Sequence, residues 1–223
     1  MSSIKRPPLF LPAFERIFQT IHGVLLKEQC DPANACLFFG IIGAAILQKH
    51  HALPAKPVVG AAGYNLGNHK AGYNLGNHNN DVLVFAEPPP RIPQSSENAF
   101  HCWTEVNGWV IDFQAPLFGE RLTKVGMSMP VPRYMLQRSL QGASASMLEL
   151  NKTKAYWFEQ NPLLETQMLT NFRERLAYVD LLDLCVDWYK PHPKKMIECL
   201  QIGNNFGEVK PVQLSPIKLD GVW

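Results

Sequence analysis

The segment from His101 to Asp112, HCWTEVNGWVID, constrains the fold more than any other part of this chain of 223 residues. Two runs of β-favouring residues flank Asn107-Gly108, the dipeptide most typical of a two-residue type I′ turn. The segment is therefore predicted to be a β-hairpin, and its turn length fixes which residues face each other.

Strand parity in this hairpin brings four side chains to one face. Counting outward from the turn pairs Trp103 with Asp112 and His101 with Gln114, and side chains alternate between faces along each strand. His101 and Asp112 are then diagonal neighbours, with Cα atoms about 7–8 Å apart, so imidazole and carboxylate can hydrogen-bond. Cys102 points to the opposite face, which excludes it as the thiol partner of His101 and favours a packing role.

A second constraint is the apolar segment from about Ala33 to Lys49, which predicts a helix buried on most of its sides. Gly40 and Gly43 lie one helical turn apart in this segment. Because glycine lets another element come close to a helix backbone, we expect such an approach here.

The start of this helix makes Cys36 a candidate nucleophile. Asp31 or Asn34 can cap the helix and Pro32 fits an early helical position, which places Cys36 in or beside the first turn. Unpaired backbone N–H groups and the positive end of the helix dipole favour a thiolate there. The same N–H groups can bind an oxyanion in an acyl-transfer transition state.

The remaining cysteines fit other roles. An odd total of five, in a long chain with no visible export signal, favours reduced thiols over a disulfide framework. Cys30 precedes the helix, and Cys185 and Cys199 lie in apolar patterns typical of a core. A zinc site is the weakest alternative, since a usual Cys-x-x-Cys pair is missing. Its ligands would be Cys30, Cys36, His101 and Cys102.

Two stretches resemble the transglutaminase-like branch of the papain-like cysteine proteinases. ACLFFGIIGAAILQKHHALPAKPVVGAAGY is similar to the segment in which a cysteine opens a core helix before a strand, and HCWTEVNGWVIDFQAP to that superfamily's His and Asp strand pair. The resemblance spans Asp31 to Pro116 and points to a bacterial branch of unknown function. It implies Cys36 as nucleophile, His101 as general base and acid, and Asp112 as the residue that orients the histidine.

The same resemblance implies the fold and further site residues. The expected fold class is α+β, with a papain-like core in which a buried helix carrying the cysteine packs on an antiparallel sheet carrying the histidine and aspartate. Gln29 or Asn34 can supply a side-chain oxyanion donor, and Gln29 lies near the spacing that papain-like enzymes use for a glutamine. Trp103 and Gln114, on the face of His101, are the remaining substrate-site candidates.

A tandem duplication lies between two predicted strands. Ala62 to Lys70 reads AGYNLGNHK and Ala71 to Asn79 reads AGYNLGNHN. Two copies are too few for a solenoid, so we interpret them as a lengthened loop or hairpin tip. A metal site between His69 and His78 is conceivable, but a solvated loop is favoured.

The second half of the chain carries weaker signals. Met135 to Leu140 is typical of a short helix and Lys154 to Phe158 of a strand. The spacing of apolar residues from Leu163 to Tyr189 predicts one or two helices. The tail is expected to form turns and a short strand.

One domain spanning residues 1–223 is expected, because 46% hydrophobic residues suffice for one sizeable core. A net charge of +2, without a long run of one sign, argues against nucleic-acid or membrane partners. The longest apolar run, Ala35 to Leu47, is too short to cross a bilayer, and prolines interrupt the apolar N-terminus before a signal-peptide core. A cytoplasmic protein is expected.

The leading hypothesis is a thiol hydrolase or acyltransferase that forms an acyl-enzyme on an amide, isopeptide or thioester, without a cofactor. Its expected partner is a peptide or a small acyl substrate. Peptidase, amidase, transglutaminase and N-acyltransferase chemistries share such a triad, and the sequence does not separate them. The alternative is a non-catalytic binding module that retains the fold. The oligomeric state is left open.

Overall fold

The computed structural model describes residues 6–67, 82–87, 94–127, 131–152, 154–203 and 207–223. Within these ranges the chain is a mixed α+β protein with a mostly antiparallel main sheet, which confirms the predicted class. The α-helices are α1 (Leu11–Lys27), α2 (Cys36–His51), α3 (Phe118–Lys124), α4 (Pro162–Glu174) and α5 (Leu176–Trp188). The strands are β1 (Lys56–Asn65), β2 (Val82–Phe85), β3 (His101–Val106), β4 (Trp109–Asp112), β5 (Tyr134–Ser139), β6 (Tyr156–Gln160), β7 (Cys199–Gly203), β8 (Val209–Gln213) and β9 (Gly221–Val222).

Strand β1 is paired along both of its edges. The main sheet has the order β2-β1-β3-β4-β5-β9, with β6 also paired to β1, and β7 and β8 form a separate hairpin. Gly60 pairs with both His101 and Gln160, so β3 and β6 lie on opposite edges of β1. Gly63 pairs with β2 and with β6 as well. Strands β2 and β3 therefore follow one another along a single edge, and β3 begins at their junction.

Helix α2 lies close against the sheet, as its glycines predict. Thr104 Oγ1 donates a hydrogen bond of 3.0 Å to the carbonyl of Gly40. A Cβ atom added to Gly40 would lie 2.4 Å from Cys102 Sγ, and one added to Gly43 would lie 2.3 Å from the ring of Phe113. Only glycine permits this approach, and it fixes the helix over the Cys102 side of β3.

The start of α2 differs from the sequence-based expectation. A 3-10 turn, Pro32–Asn34, comes first, and Asp31 caps that turn by accepting a hydrogen bond of 3.2 Å from the N–H of Ala33. The helix itself begins at Cys36, and its N-cap residue, Ala35, supplies no side-chain hydrogen bond. The prediction that Asp31 or Asn34 caps this helix is therefore wrong, because the capping carboxylate is used one turn earlier.

The hairpin is confirmed, and so are helices between Leu163 and Tyr189. Val106 pairs with Trp109 and Thr104 with Ile111, the predicted register. The predicted helix over 135–140 is wrong, because this segment lies in β5 and pairs with β4. The intrinsic helix propensity of six residues stabilises a helix only weakly, and the hydrogen bonds between β4 and β5 outweigh it.

The described part of the duplication begins inside a strand. Ala62 to Asn65, at the start of its first copy, lies in β1 and pairs with β2 and β6. The interpretation of this copy as a loop is therefore wrong at its beginning. The second copy, with His78, and His69 of the first copy lie outside the described residues.

Candidate active site

The centre of the candidate site is a buried pair formed by His101 and Asp112. His101 begins β3 and Asp112 ends β4, at the same end of the sheet, and both side chains are fully buried. His101 Nε2 and Asp112 Oδ2 are 2.7 Å apart. The diagonal contact expected from turn length and strand parity therefore forms.

Two further groups donate hydrogen bonds to the Asp112 carboxylate. The Tyr64 hydroxyl donates to Oδ2 at 2.8 Å, and the backbone N–H of Gln114 donates to Oδ1 at 2.9 Å. Burial, followed by the charge of Asp112, raises the pKa of Tyr64 well above its usual value, so its hydroxyl remains a donor. Three donors thus hold a buried carboxylate in one orientation.

Cys36 is the third member of the site. It is the first residue of α2, is 8% exposed, and packs with Val59 and Cys102, the residue pair next to His101 in the sheet. The other ring nitrogen of His101, Nδ1, is buried and lacks a regular hydrogen-bond partner among the described residues. Since Asp112 occupies Nε2, Nδ1 is the nitrogen left to interact with the thiol.

The pKa of His101 depends on its burial and on its contacts with Asp112 and Cys36. Burial alone lowers it, but the charge and hydrogen bond of Asp112, followed by a side-chain hydrogen bond and charge of Cys36, raise it to about 9. Imidazolium is therefore the main form at neutral pH.

We expect this raised pKa to make folding stability fall in alkali. His101 binds its proton more tightly in the folded chain, so its contribution is complete below about pH 6.5 and is lost as pH rises through about 9. Urea unfolding at pH 6, 8 and 10 measures the effect. His101→Gln, which does not titrate, should lose less stability than the wild type between pH 6 and 10, and equal losses would contradict the assignment.

Aromatic rings fix the orientation of the imidazole. Phe85, the last residue of β2, stacks on His101 with ring centroids 4.2 Å apart and planes inclined by 22°. The ring of Trp103 stands 6.5 Å from that of His101. Trp103, one of the substrate-site candidates, is 1% exposed, and its Nε1 donates to Glu105 at 3.1 Å.

Gln114 joins the two halves of the site. Its backbone N–H bonds Asp112, and its side-chain Nε2 donates to the carbonyl of Pro32 at 3.0 Å, within the turn that precedes Cys36. One residue therefore ties the histidine–aspartate pair to the start of the cysteine helix. With its amide engaged in this way, Gln114 serves positioning better than substrate binding.

The two oxyanion candidates lie outside this buried network. Gln29 is exposed, has a positive φ of 55° after α1, and makes no side-chain hydrogen bond with a described residue. Asn34 is exposed, and its amide donates to the carboxylate of Asp31. The structure does not bring either side chain into contact with Cys36.

The other cysteines are placed as follows. Burial, followed by the charges of Cys36 and Asp112, raises the pKa of Cys102 well above its usual value. Cys185 is fully buried in the α-helical core, whereas Cys199 is exposed on β7 rather than buried as expected. In the described ranges no three histidine, cysteine or acidic side chains are grouped to hold a metal ion.

Comparison with known proteins places the chain in a family. The sequence profile described as "protein of unknown function (DUF2026)" matches residues 10–223. The chain belongs to the DUF2026 family. A solved structure described as the crystal structure of genomics APC5867 superposes with a TM-score of 0.82, at 28% identity and over 100% of both chains. No curated protein matches.

Within this DUF2026 chain, Tyr64 is the site residue that sequence reasoning missed. It lies in the first copy of the duplication, eight residues after Lys56 on β1, and its ring contacts those of His101 and Phe118. The sequence held one indication of this role. The strand predicted before the repeat continues into its first copy, and the alternation of side chains along that strand places Tyr64 on one face of the sheet. No helix in the described part of the chain is long and apolar enough to cross a membrane.

Proposed function

We propose that this protein is a thiol acyl-transfer enzyme in which Cys36, His101 and Asp112 form a catalytic triad. The observation that carries the proposal is the fully buried His101–Asp112 pair, 2.7 Å apart, whose remaining ring nitrogen is left to the thiol of Cys36. A buried imidazole held by a carboxylate on one side and facing a cysteine on the other matches the arrangement that activates a thiol nucleophile.

The reaction would proceed in two balanced steps. His101 holds the proton of Cys36, the thiolate attacks a carbonyl carbon, and the C–N or C–S bond to the leaving group breaks as the imidazolium returns the proton to it. The product is a thioester on Cys36. Water or an amine, deprotonated by His101, then attacks the thioester carbonyl, and the thiolate leaves with the proton held on His101.

Backbone groups at the start of α2 can stabilise the oxyanion. The first turn of a helix has N–H groups without intrahelical acceptors, and no side chain caps them in α2. They lie beside the nucleophile, where negative charge develops on the carbonyl oxygen. This source of donors replaces the side chains of Gln29 and Asn34, neither of which contacts the thiol.

The arrangement supports a papain-like core as the finer description of the fold. The nucleophile opens a buried helix, the histidine comes from β3, on which that helix packs, and the aspartate comes from the neighbouring antiparallel strand β4. The two stretches that resemble transglutaminase-like proteins coincide with these elements. The geometry also favours catalysis over a binding module, because all three groups are present and oriented.

Mass spectrometry of the intact protein tests the proposal. Incubation with p-nitrophenyl acetate should add one acetyl group at Cys36 within minutes, and a nucleophilic amine should then accelerate its loss. The Cys36→Ser variant should remain unmodified at the same position under these conditions. A wild-type protein that is acetylated no faster at Cys36 than at the exposed thiol of Cys199 would overturn the proposed activity.

A further inference from the structure

The surroundings of the Cys36 thiol are apolar. Val59 and Leu164 are buried beside it, and Leu37, Phe100 and Met168 are partly buried around the same cluster. These side chains offer no charge to a substrate, and the nearby carboxylate of Glu165 already accepts a hydrogen bond of 3.1 Å from the backbone N–H of Val59. A substrate group next to the reacting carbonyl would meet hydrocarbon and a thioether.

An apolar cavity of about 250 Å³ lies between α2, α4 and α5. Its walls include Ile41, Ala44, Ala45, Leu169, Phe172 and Leu182. Arg173 is its single charged lining residue, and its side chain is exposed. The lining contains no carboxylate, and Gln48 already donates its amide to the carbonyl of Ala55 at 2.6 Å. An uncharged chain fits such walls better than a polar one.

The cavity continues the apolar surroundings of the thiol along two helices. On α2, Leu37 of the thiol cluster lies one turn before Ile41 of the cavity, on the same face. On α4, Met168 of the cluster lies one turn before Phe172 of the cavity. Helices α2 and α4 both pack on β1 and on α5, so the thiol cluster and the cavity lie between the same helices, with β1 as their common floor.

Strand β1 forms that floor. Val59 packs against Cys36, and Pro57, two residues earlier on the same face of the strand, lines the cavity. The thiol cluster and the cavity therefore lie over neighbouring residues of β1. From Leu37 to Ala45 the helix rises about 12 Å, which matches an extended chain of about eight to ten carbon atoms.

We propose that the thiol cluster and this cavity form one cleft that binds the aliphatic chain of the acyl donor, with the reacting carbonyl at Cys36 and the chain end near Ala45. The inference rests on the proposed function for the chemistry and on the cleft alone for the substrate class. The substrate is then a medium-chain acyl thioester, ester or amide rather than a charged peptide. Each buried methylene should raise affinity about fourfold until the cavity is full.

Binding of free fatty acids to the Cys36→Ser protein tests the cleft without any reaction. In calorimetry, affinity should rise from butyrate to decanoate and stop rising beyond about ten carbons. Ala45→Phe, which fills the cavity, should weaken decanoate binding at least tenfold and leave butyrate binding nearly unchanged. Ala177→Phe, an equal change at an exposed position of α5, should alter neither.

Reaction with p-nitrophenyl esters separates the two proposals. If acylation of Cys36 occurs but is equally efficient for acetate, butyrate and decanoate esters, and Ala45→Phe has no effect, the acyl-chain cleft is wrong and the enzyme stands. If decanoate binds with the predicted chain dependence but no ester acylates Cys36, the cleft stands and the proposed activity is wrong. A flat affinity series from butyrate to decanoate overturns the cleft in either case.

Discussion

Replacing His101 with glutamine slows the alkylation of Cys36 by iodoacetamide at pH 7 by about tenfold or more, because a free thiol is only about 3% thiolate at that pH. In the proposed triad the imidazole of His101 takes up the proton of Cys36, and the resulting thiolate is the form that reacts. Glutamine keeps a neutral hydrogen-bonding group beside Asp112 but cannot carry the charge. The wild-type rate should therefore rise less steeply from pH 6 to 8 than the rate of the variant, which should gain about tenfold per pH unit like a free thiol.

The measurement needs a protein in which other thiols do not interfere. Cys199 is exposed and Cys30 is half-buried, so both are replaced with serine in every protein compared. Burial raises the pKa of Cys185 and, with nearby charges, that of Cys102, so these two thiols react slowly. His50→Gln, which changes a histidine at the far end of α2, is the matched control and should leave the rate unchanged. Equal rates and slopes for the wild type and His101→Gln would contradict the triad.

The part of the site that sequence could predict is the part fixed by local geometry. Asn107-Gly108 specifies a two-residue turn, the turn sets the register, and the register puts His101 and Asp112 within hydrogen-bond distance. Cys36 was also placed correctly at a helix start. These relations extend over few residues, so no knowledge of the tertiary fold was needed.

The part that could not be predicted depends on contacts between distant segments. Tyr64 reaches Asp112 across 48 positions of sequence, through the pairing of β1 with β3. The segment 135–140 becomes a strand because β4 offers it hydrogen bonds. The apolar cavity is lined by residues from α2, α4 and α5 together. The sequence pattern of one helix does not show which part of its surface the other helices leave uncovered. Hydrophobic periodicity identifies elements, but it does not say which of them meet.

Replacing Asp112 with alanine lowers the free energy of unfolding by about 3–5 kcal/mol at pH 7. The carboxylate is fully buried and accepts hydrogen bonds from Tyr64, Gln114 and His101. Its loss removes the charge that keeps the buried His101 protonated and takes away the acceptor of three buried donors. Tyr64→Phe removes one of those donors and should cost about 1.5–3 kcal/mol, the usual value for a hydrogen bond to a charged group. Urea unfolding followed by circular dichroism measures both.

Two further variants show whether this loss comes from the buried charge. Asp187→Ala removes a carboxylate that pairs with Lys49 at 2.6 Å on the surface, and stability should barely change because water screens that pair. Combining Asp112→Ala with His101→Phe removes both charges while keeping an aromatic ring against Phe85. The double variant should then be more stable than the sum of the single losses predicts, because neither residue is left as an unpaired buried charge. Strict additivity would show that Asp112 stabilises the fold by packing rather than by its pairing with His101.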